Sequence, residues 1–424
     1  MSTTTTAAPL VSDLAEHLIG SEIIRIASEI NSRIAQGEQI HNLTIGDFSP
    51  AVFPLPERLR ELIQQAYSEG LSNYPPANGV LELRQAVSAY IQRSQGLSYS
   101  ADDILVAGGA RPLIYAAFKA TVNPGERVVY PVPSWNNNHY AYLHNAEKVE
   151  VVTHKENRFL PTADDLRPHL RGAALLALCS PLNPTGTTFS RDQLAAICDL
   201  VLEENARRAG DKPLYLMYDQ IYQELVLGST VHVDPVSIRP EMRPYTLFID
   251  GISKSLAATG VRVGWGFGPG PVMKKMASIL GHVGAWAPKP EQVATARFLE
   301  EPAYAEAVAE HRRMVTERVQ AYHEGFQQLK AQGLPVDSIP AQGAMYLSVR
   351  IGIRGRTTPE GQVLNDAGEI TYYLIQHAGV GIVPFFAFGT DRENAWFRIS
   401  VGTTRMDMVP GVIDGIRKAI EVLI

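Results

Sequence analysis

The segment GISKSLAATGVRVGWG, residues 251–266, holds the most chemically suggestive grouping in the chain. Lys254 follows directly on the apolar run TLFID and stands among Gly251, Ser253, Ser255, Ala257, Ala258 and Gly260. Small neighbours of this kind let a planar molecule approach the backbone closely. Arg262 lies eight residues further on, followed by Val263 and Gly264. An amine can bond an aldehyde covalently, and a guanidinium fork can pair with a phosphate through two parallel hydrogen bonds. Most lysines are solvated surface charges; the small neighbours and the nearby arginine set this one apart.

The segment resembles the lysine-site pattern of the class I/II pyridoxal-phosphate-dependent aminotransferases, which are aspartate aminotransferase-like enzymes of fold type I. It fits at each restricted position from Gly251 through Lys254 and Arg262 to Gly264. The resemblance implies that pyridoxal 5′-phosphate is the cofactor, with Lys254 as its covalent anchor and proton carrier and with Ser253 and Arg262 among its contacts.

Companion motifs follow in the family's order. SPLNPTG (180–186) is by itself a turn signal; in this company it implies that Asn183 bonds the cofactor's phenolic oxygen and borders the substrate. Asp219 ends the apolar run LYLMYD, where the plain reading is a helix N-cap. The resemblance instead pairs its carboxylate with the pyridine nitrogen, keeping the ring an electron acceptor. Tyr222 would join Asn183 at the phenolic oxygen. In AGGARPLIYAAF, glycines precede a helix whose Pro112 suits a first turn. The amides of Gly109, Ala110 and Arg111 would then face the phosphate at a helix N-terminus.

Trp135 in YPVPSWNNNHY matches the aromatic residue that stacks on the cofactor ring. Tyr74 in NYPPANGVLELR resembles the tyrosine that crosses a homodimer interface to the neighbouring phosphate. Arg398 in WFRISVG matches the arginine that grips the substrate α-carboxylate, a task suited to its fork. Gly46 in LTIGDFSP resembles the glycine whose backbone serves the same carboxylate. Two positions depart from the pattern. Gly251 replaces a phosphate-binding serine of many relatives, and Ala110 followed by Arg111 replaces a lysine that some bacterial aspartate-using relatives carry.

These residues need strands to end where they stand. The runs ILVA (104–107), RVVYP (127–131), ALLALC (174–179), LYLMYD (214–219) and TLFID (246–250) are apolar without alternation, as in strands buried on both faces of a mostly parallel sheet. Between them, Leu83, Ala86, Val87, Tyr90 and Ile91 mark a helix over 80–93. Ser190 and Gln193 form a capping box opening another helix, which stops near Arg207, Arg208 and Gly210. The expected fold class is α/β, with a large domain built on a mostly parallel seven-stranded sheet, as the resemblance implies, and a smaller α+β domain. Expected boundaries are 1–48 for an N-terminal arm and part of the small domain, with a helix over 13–36, then 49–300 for the large cofactor-binding domain and 301–424 for the small C-terminal domain. The Thr run at 3–6 reads as a disordered end.

With 424 residues, a net charge of −6, and 45% hydrophobic and 19% charged residues, the chain has an ordinary globular composition. The acidic balance speaks against nucleic acid or an anionic membrane as partner. Two cysteines give no disulfide framework, no apolar run is long enough for a bilayer, and the N-terminus has no signal-peptide pattern. The expected address is the cytoplasm. No metal-ligand spacing occurs among the histidines. The resemblance implies amino-group transfer from an L-amino acid, aspartate or an aromatic one, to 2-oxoglutarate. A lyase or decarboxylase on the same scaffold is the alternative. A transcription regulator is discounted because only some 40 residues, without a basic patch, precede Gly46.

Overall fold

A computed structural model describes residues 10–424. The Thr run at 3–6 lies outside the described residues. Seven strands make the larger sheet: β1 (Ile104–Ala107), β2 (Arg127–Val132), β3 (Glu147–Val152), β4 (Ala173–Cys179), β5 (Tyr215–Asp219), β6 (Thr246–Gly251) and β7 (Gly264–Phe267). Their spatial order is β1-β7-β6-β5-β4-β2-β3. Only β7 runs antiparallel, to both β1 and β6.

The unbroken apolar runs are explained by cover on both faces. Leu176, Leu178, Leu216, Tyr218 and Phe248 point into one core. Their chain neighbours Leu175, Ala177, Met217, Leu247 and Ile249 point into the other. Because side chains alternate along a strand, both sets must be apolar.

Register then aligns the strand ends that carry polar residues. Cys179 on β4 pairs with Asp219 on β5, and Asp219 pairs with Ile249 on β6, two residues before Gly251. In open parallel sheets this carboxyl-end rim is where ligands bind.

A smaller antiparallel sheet follows: β8 (Val336–Ile339), β9 (Tyr346–Ile351), β10 (Val383–Pro384) and β11 (Trp396–Ser400), ordered β10-β11-β9-β8. The helix Pro302–Ala331 links the two regions. Its Tyr304 and Val308 pack in a core of the large sheet, whereas Val315, Val319, Tyr322 and Phe326 pack under the small one. Residues His41–Asn42 pair in parallel with Val380–Gly381, joining an early segment to the small sheet's surroundings.

The helix expected over 13–36 is broken into Asp13–Glu16 and Glu22–Ala35. Gly20, a poor helix former, lies in the gap, and extended Ser21 begins the second helix. The capping box of Ser190 and Gln193 is present at Arg191–Arg208, and Ala209 rather than Gly210 takes the first left-handed position after it. Among the described residues no helix is long and apolar enough to cross a membrane.

Candidate active site

A cavity of about 660 Å³ opens above the β4, β5 and β6 ends. Of the residues singled out from sequence, Gly46, Ala110, Arg111, Trp135, Asn183, Asp219, Tyr222, Ser253, Lys254, Arg262 and Arg398 line it. They come from segments spread over the whole chain. Two stand apart. Gly109 lies behind the Arg262 guanidinium, and Tyr74 is on the surface, 82% exposed, with its ring edge-on to Trp286 at 5.3 Å.

Lys254 sits in a short helical turn, Ile252–Ser255, immediately after β6. Its Nζ donates to Gly46 O at 2.6 Å. Burial lowers the amine to about 8; Arg398, Arg111 and Arg262 act in the same direction and Asp47 against it. A lysine in this range is in part a neutral nucleophile at physiological pH.

Asp219 ends β5, and its Oδ1 accepts one hydrogen bond from Ile221 N at 3.1 Å. Burial raises its carboxyl to about 6, opposed by that N–H and by the nearby Lys254. A half-buried acid with a single hydrogen bond is stabilised by any cation placed against it.

Arg398 projects from the middle of β11 and is 1% exposed. Its Nη1 donates to Asn183 Oδ1 at 3.0 Å, and Nη2 to Thr44 O. Nε has no partner. No carboxylate among the described residues pairs with this guanidinium, and burial lowers its pKa. An uncompensated buried cation is costly, and a carboxylate arriving in the cavity would relieve it.

At the other end, Arg262 donates from Nη1 to Thr259 O (2.9 Å) and from Nη2 to Gly108 O (2.7 Å). Its backbone is left-handed, φ 64, which costs roughly 1–2 kcal/mol for a non-glycine residue. Gly109, at φ 93, caps the helix Ala110–Thr121. A Cβ there would collide with the Arg262 guanidinium, so only glycine lets this helix end and the arginine meet. The Gly109 amide bonds Ala107 O, leaving the amides of Ala110 and Arg111 to open the helix.

Trp135 forms a side wall, with the Arg111 guanidinium carbon 4.5 Å from its ring centroid. Sequence reasoning missed three further groups. Tyr346 on β9 bonds Tyr222, hydroxyl to hydroxyl, at 2.7 Å. Asp47 lines the cavity and accepts from Thr259 Oγ1 at 2.5 Å. Ile23, Ile24 and Ala27 of the helix Glu22–Ala35 form an apolar part of the wall. Asp47 adjoins Gly46 and could have been noticed from that; Tyr346 and the helix residues carry no sequence signal. Among the described residues no group of His, Cys, Asp or Glu side chains is placed to hold a metal ion.

The family model for "Aminotransferase class I and II" matches residues 38–413. The chain belongs to this family. It is similar to a probable aspartate/prephenate aminotransferase of Rhizobium leguminosarum bv. phaseoli, at 28% identity over 93% of this chain and 94% of the relative. An aspartate aminotransferase of Streptomyces avermitilis is 30% identical over 85% of each chain. The crystal structure of the aspartate aminotransferase from Rhizobium meliloti superposes with a TM-score of 0.90 at 25% identity, covering 98% of this chain and 100% of that one. This aminotransferase accordingly has the fold type I architecture, uses pyridoxal 5′-phosphate, and moves amino groups between amino and 2-oxo acids.

Proposed function

We propose that this aminotransferase takes the amino group of an L-amino acid, aspartate or an aromatic one, and passes it to 2-oxoglutarate, with Lys254, Asp219 and Tyr222 as catalytic residues. One observation carries the reading: Arg398, buried and without a carboxylate partner among the described residues, borders the same cavity as the lowered Lys254 amine. An amine nucleophile and a waiting carboxylate grip are the two things an α-amino acid substrate needs.

The residues present fit pyridoxal 5′-phosphate. Asp219 is a half-buried acid on the cavity wall with room for a cation such as a protonated pyridine. Gly109 leaves space for the Arg262 guanidinium beside the helix N-terminus, a cradle suited to phosphate. Ser253, Ala110 and Arg111 would complete the phosphate cup, with Trp135 against the ring and Tyr222 and Asn183 at the phenolic oxygen. When bound, the cofactor supplies an electron sink that acidifies the substrate Cα–H bond. Asp219 keeps that sink effective by holding a proton on the pyridine nitrogen. Arg398, with Asn183 and the Gly46 backbone, orients the α-carboxylate. Lys254 Nζ, as the neutral amine, would take the Cα proton as a base and deliver it as an acid to the cofactor's C4′ carbon.

We also infer a homodimer. Tyr74 is exposed on its own chain and stands outside its own cavity, as a residue serving the neighbouring site would be. Residues 49–300 are proposed as the large domain, and 1–48 with 301–424 as the arm and small domain. A cytoplasmic address is in keeping with two cysteines that are both free.

A screen of amino donors against 2-oxoglutarate, with single half-reactions followed by absorbance, tests the reading. Transfer predicts one equivalent of oxo acid per site and accumulation of the amine form of the cofactor. Continuous release of ammonia without that form would make the enzyme a lyase instead.

A further inference from the structure

We propose that Tyr346 is a positioning residue for Tyr222 and Arg398 together: its hydroxyl donates to the Tyr222 oxygen, freeing the Tyr222 proton for the cofactor's phenolic oxygen, and its ring supports the guanidinium that grips the substrate. This rests on the roles given to Tyr222 and Arg398 above.

The placement follows from strand register. On β9 and β11, Ser348 pairs with Arg398 and Tyr346 with Ser400. Side chains two apart share a face, so Tyr346 is the diagonal neighbour of Arg398. The Arg398 guanidinium carbon lies 4.6 Å from the Tyr346 ring centroid. The Tyr346 hydroxyl lies 2.7 Å from that of Tyr222, with the rings edge to face at 73°. It also fills the space beside Gly46, where a Cβ would come within 2.8 Å of it. Tyr346 is 1% exposed. One side chain thus touches a proposed cofactor contact, the proposed carboxylate grip and the glycine whose carbonyl holds Lys254.

Two hydroxyls facing each other share one hydrogen bond, and the second proton goes elsewhere. The positive charge against the Tyr346 ring makes its O–H the better donor. Burial pushes both phenols up and Arg398 pulls both back. For Tyr346 that pull ranks second only to burial, whereas for Tyr222 it is the least of the influences and the phenol is held well above its ordinary value. Tyr346 therefore donates. A Tyr222 oxygen that accepts becomes in turn a stronger donor, because linked hydrogen bonds polarise one another. Its target is the phenolic oxygen, whose negative charge attracts the neighbouring proton on the lysine-bound cofactor. Stabilising that charge lets the proton leave at lower pH.

The test uses holoenzyme and a readout without turnover: the midpoint pH of the visible absorbance change of the lysine-bound cofactor. Tyr346→Phe should raise the midpoint by about 0.5–1 unit, a threefold to tenfold change expected for one hydrogen bond. Tyr222→Phe should raise it at least as much, and the double variant should add little, because the two act as one unit. Tyr346→Phe keeps the ring over Arg398 and should leave KM for the amino acid unchanged, while Tyr346→Leu should raise KM about tenfold. A Tyr346→Phe midpoint equal to wild type, with Tyr222→Phe shifted, overturns the proposal and leaves the Tyr222 assignment standing. Wild-type midpoints in both variants overturn the two together. If Tyr346→Leu does not fold, an elevated KM in Tyr346→Phe overturns the ring's share of the role.

Discussion

Lys254 Nζ donates a hydrogen bond of 2.6 Å to the carbonyl oxygen of Gly46, 208 residues earlier in the chain. The acceptor is neutral, and this explains why the amine stays low: no carboxylate bonds it directly, and burial outweighs the pull of Asp47. Thr44 O, two residues before Gly46, accepts from Arg398. One backbone segment therefore holds both the amine and the guanidinium of the site.

A pH dependence follows for cofactor capture. Only the neutral amine attacks an aldehyde, and Lys254 becomes neutral as pH rises through about 8. In cofactor-free protein, the rate of covalent capture should climb with pH and level off above that value. Stopped-flow growth of visible absorbance measures it. Lys254→Ala should show no such absorbance and retain less than about a thousandth of the activity; borohydride-trapped cofactor in that variant would assign the anchor elsewhere.

Asp219 should cost stability in the cofactor-free protein. Its pKa rises from the ordinary 3.8 to about 6, so the folded chain binds the proton more tightly than the unfolded chain. Stability is then fullest below the lower value and declines as pH rises through the higher one, by up to about 3 kcal/mol. Asp219→Asn should raise the Tm above pH ~7 and not near pH ~4, while slowing Cα deprotonation severely in the holoenzyme. Calorimetry at both pH values and single-turnover absorbance provide the check; an equal Tm change at both would remove the electrostatic account.

Arg398→Lys keeps the charge but loses the fork and the contacts to Asn183 and Thr44. The loss in kcat/KM should be on the order of a hundredfold for amino acids and far smaller for simple amines lacking the carboxylate. Equal losses for both substrates would make the arginine structural.

For Tyr74 the measurement is complementation. If each site takes Lys254 from one chain and Tyr74 from the other, mixing Lys254→Ala with Tyr74→Ala chains yields hybrids with one intact site. Activity should rise above the mean of the two parents after subunit exchange. No gain would place Tyr74 in service of its own chain.

Much of this geometry was legible because it depends on local chemistry. β1, β2, β4, β5 and β6 coincide with apolar runs to within about two residues, and Lys254 and Asp219 stand at the ends of two of them. Other parts depend on contacts between distant segments. β7 is Gly-Trp-Gly-Phe, a composition that signals a turn as readily as a strand, and is held by pairing on both sides. Tyr346 reads as one more apolar strand residue; only its register against β11 brings it to Arg398. Ile23 and Ile24 belong to a helix whose place on the cavity wall no local pattern reveals.

The Arg398–Thr44 contact joins residues 354 positions apart. Every strand of the large sheet is already present in a chain synthesised as far as Phe267, and so is Lys254. The guanidinium grip is not. Lys254, Gly46 and Asn183 all precede the arginine that completes the carboxylate grip, so the site is whole only once β11 is present. A chain lacking β11 would carry the cofactor lysine without the guanidinium grip, a consequence of the order of the elements alone.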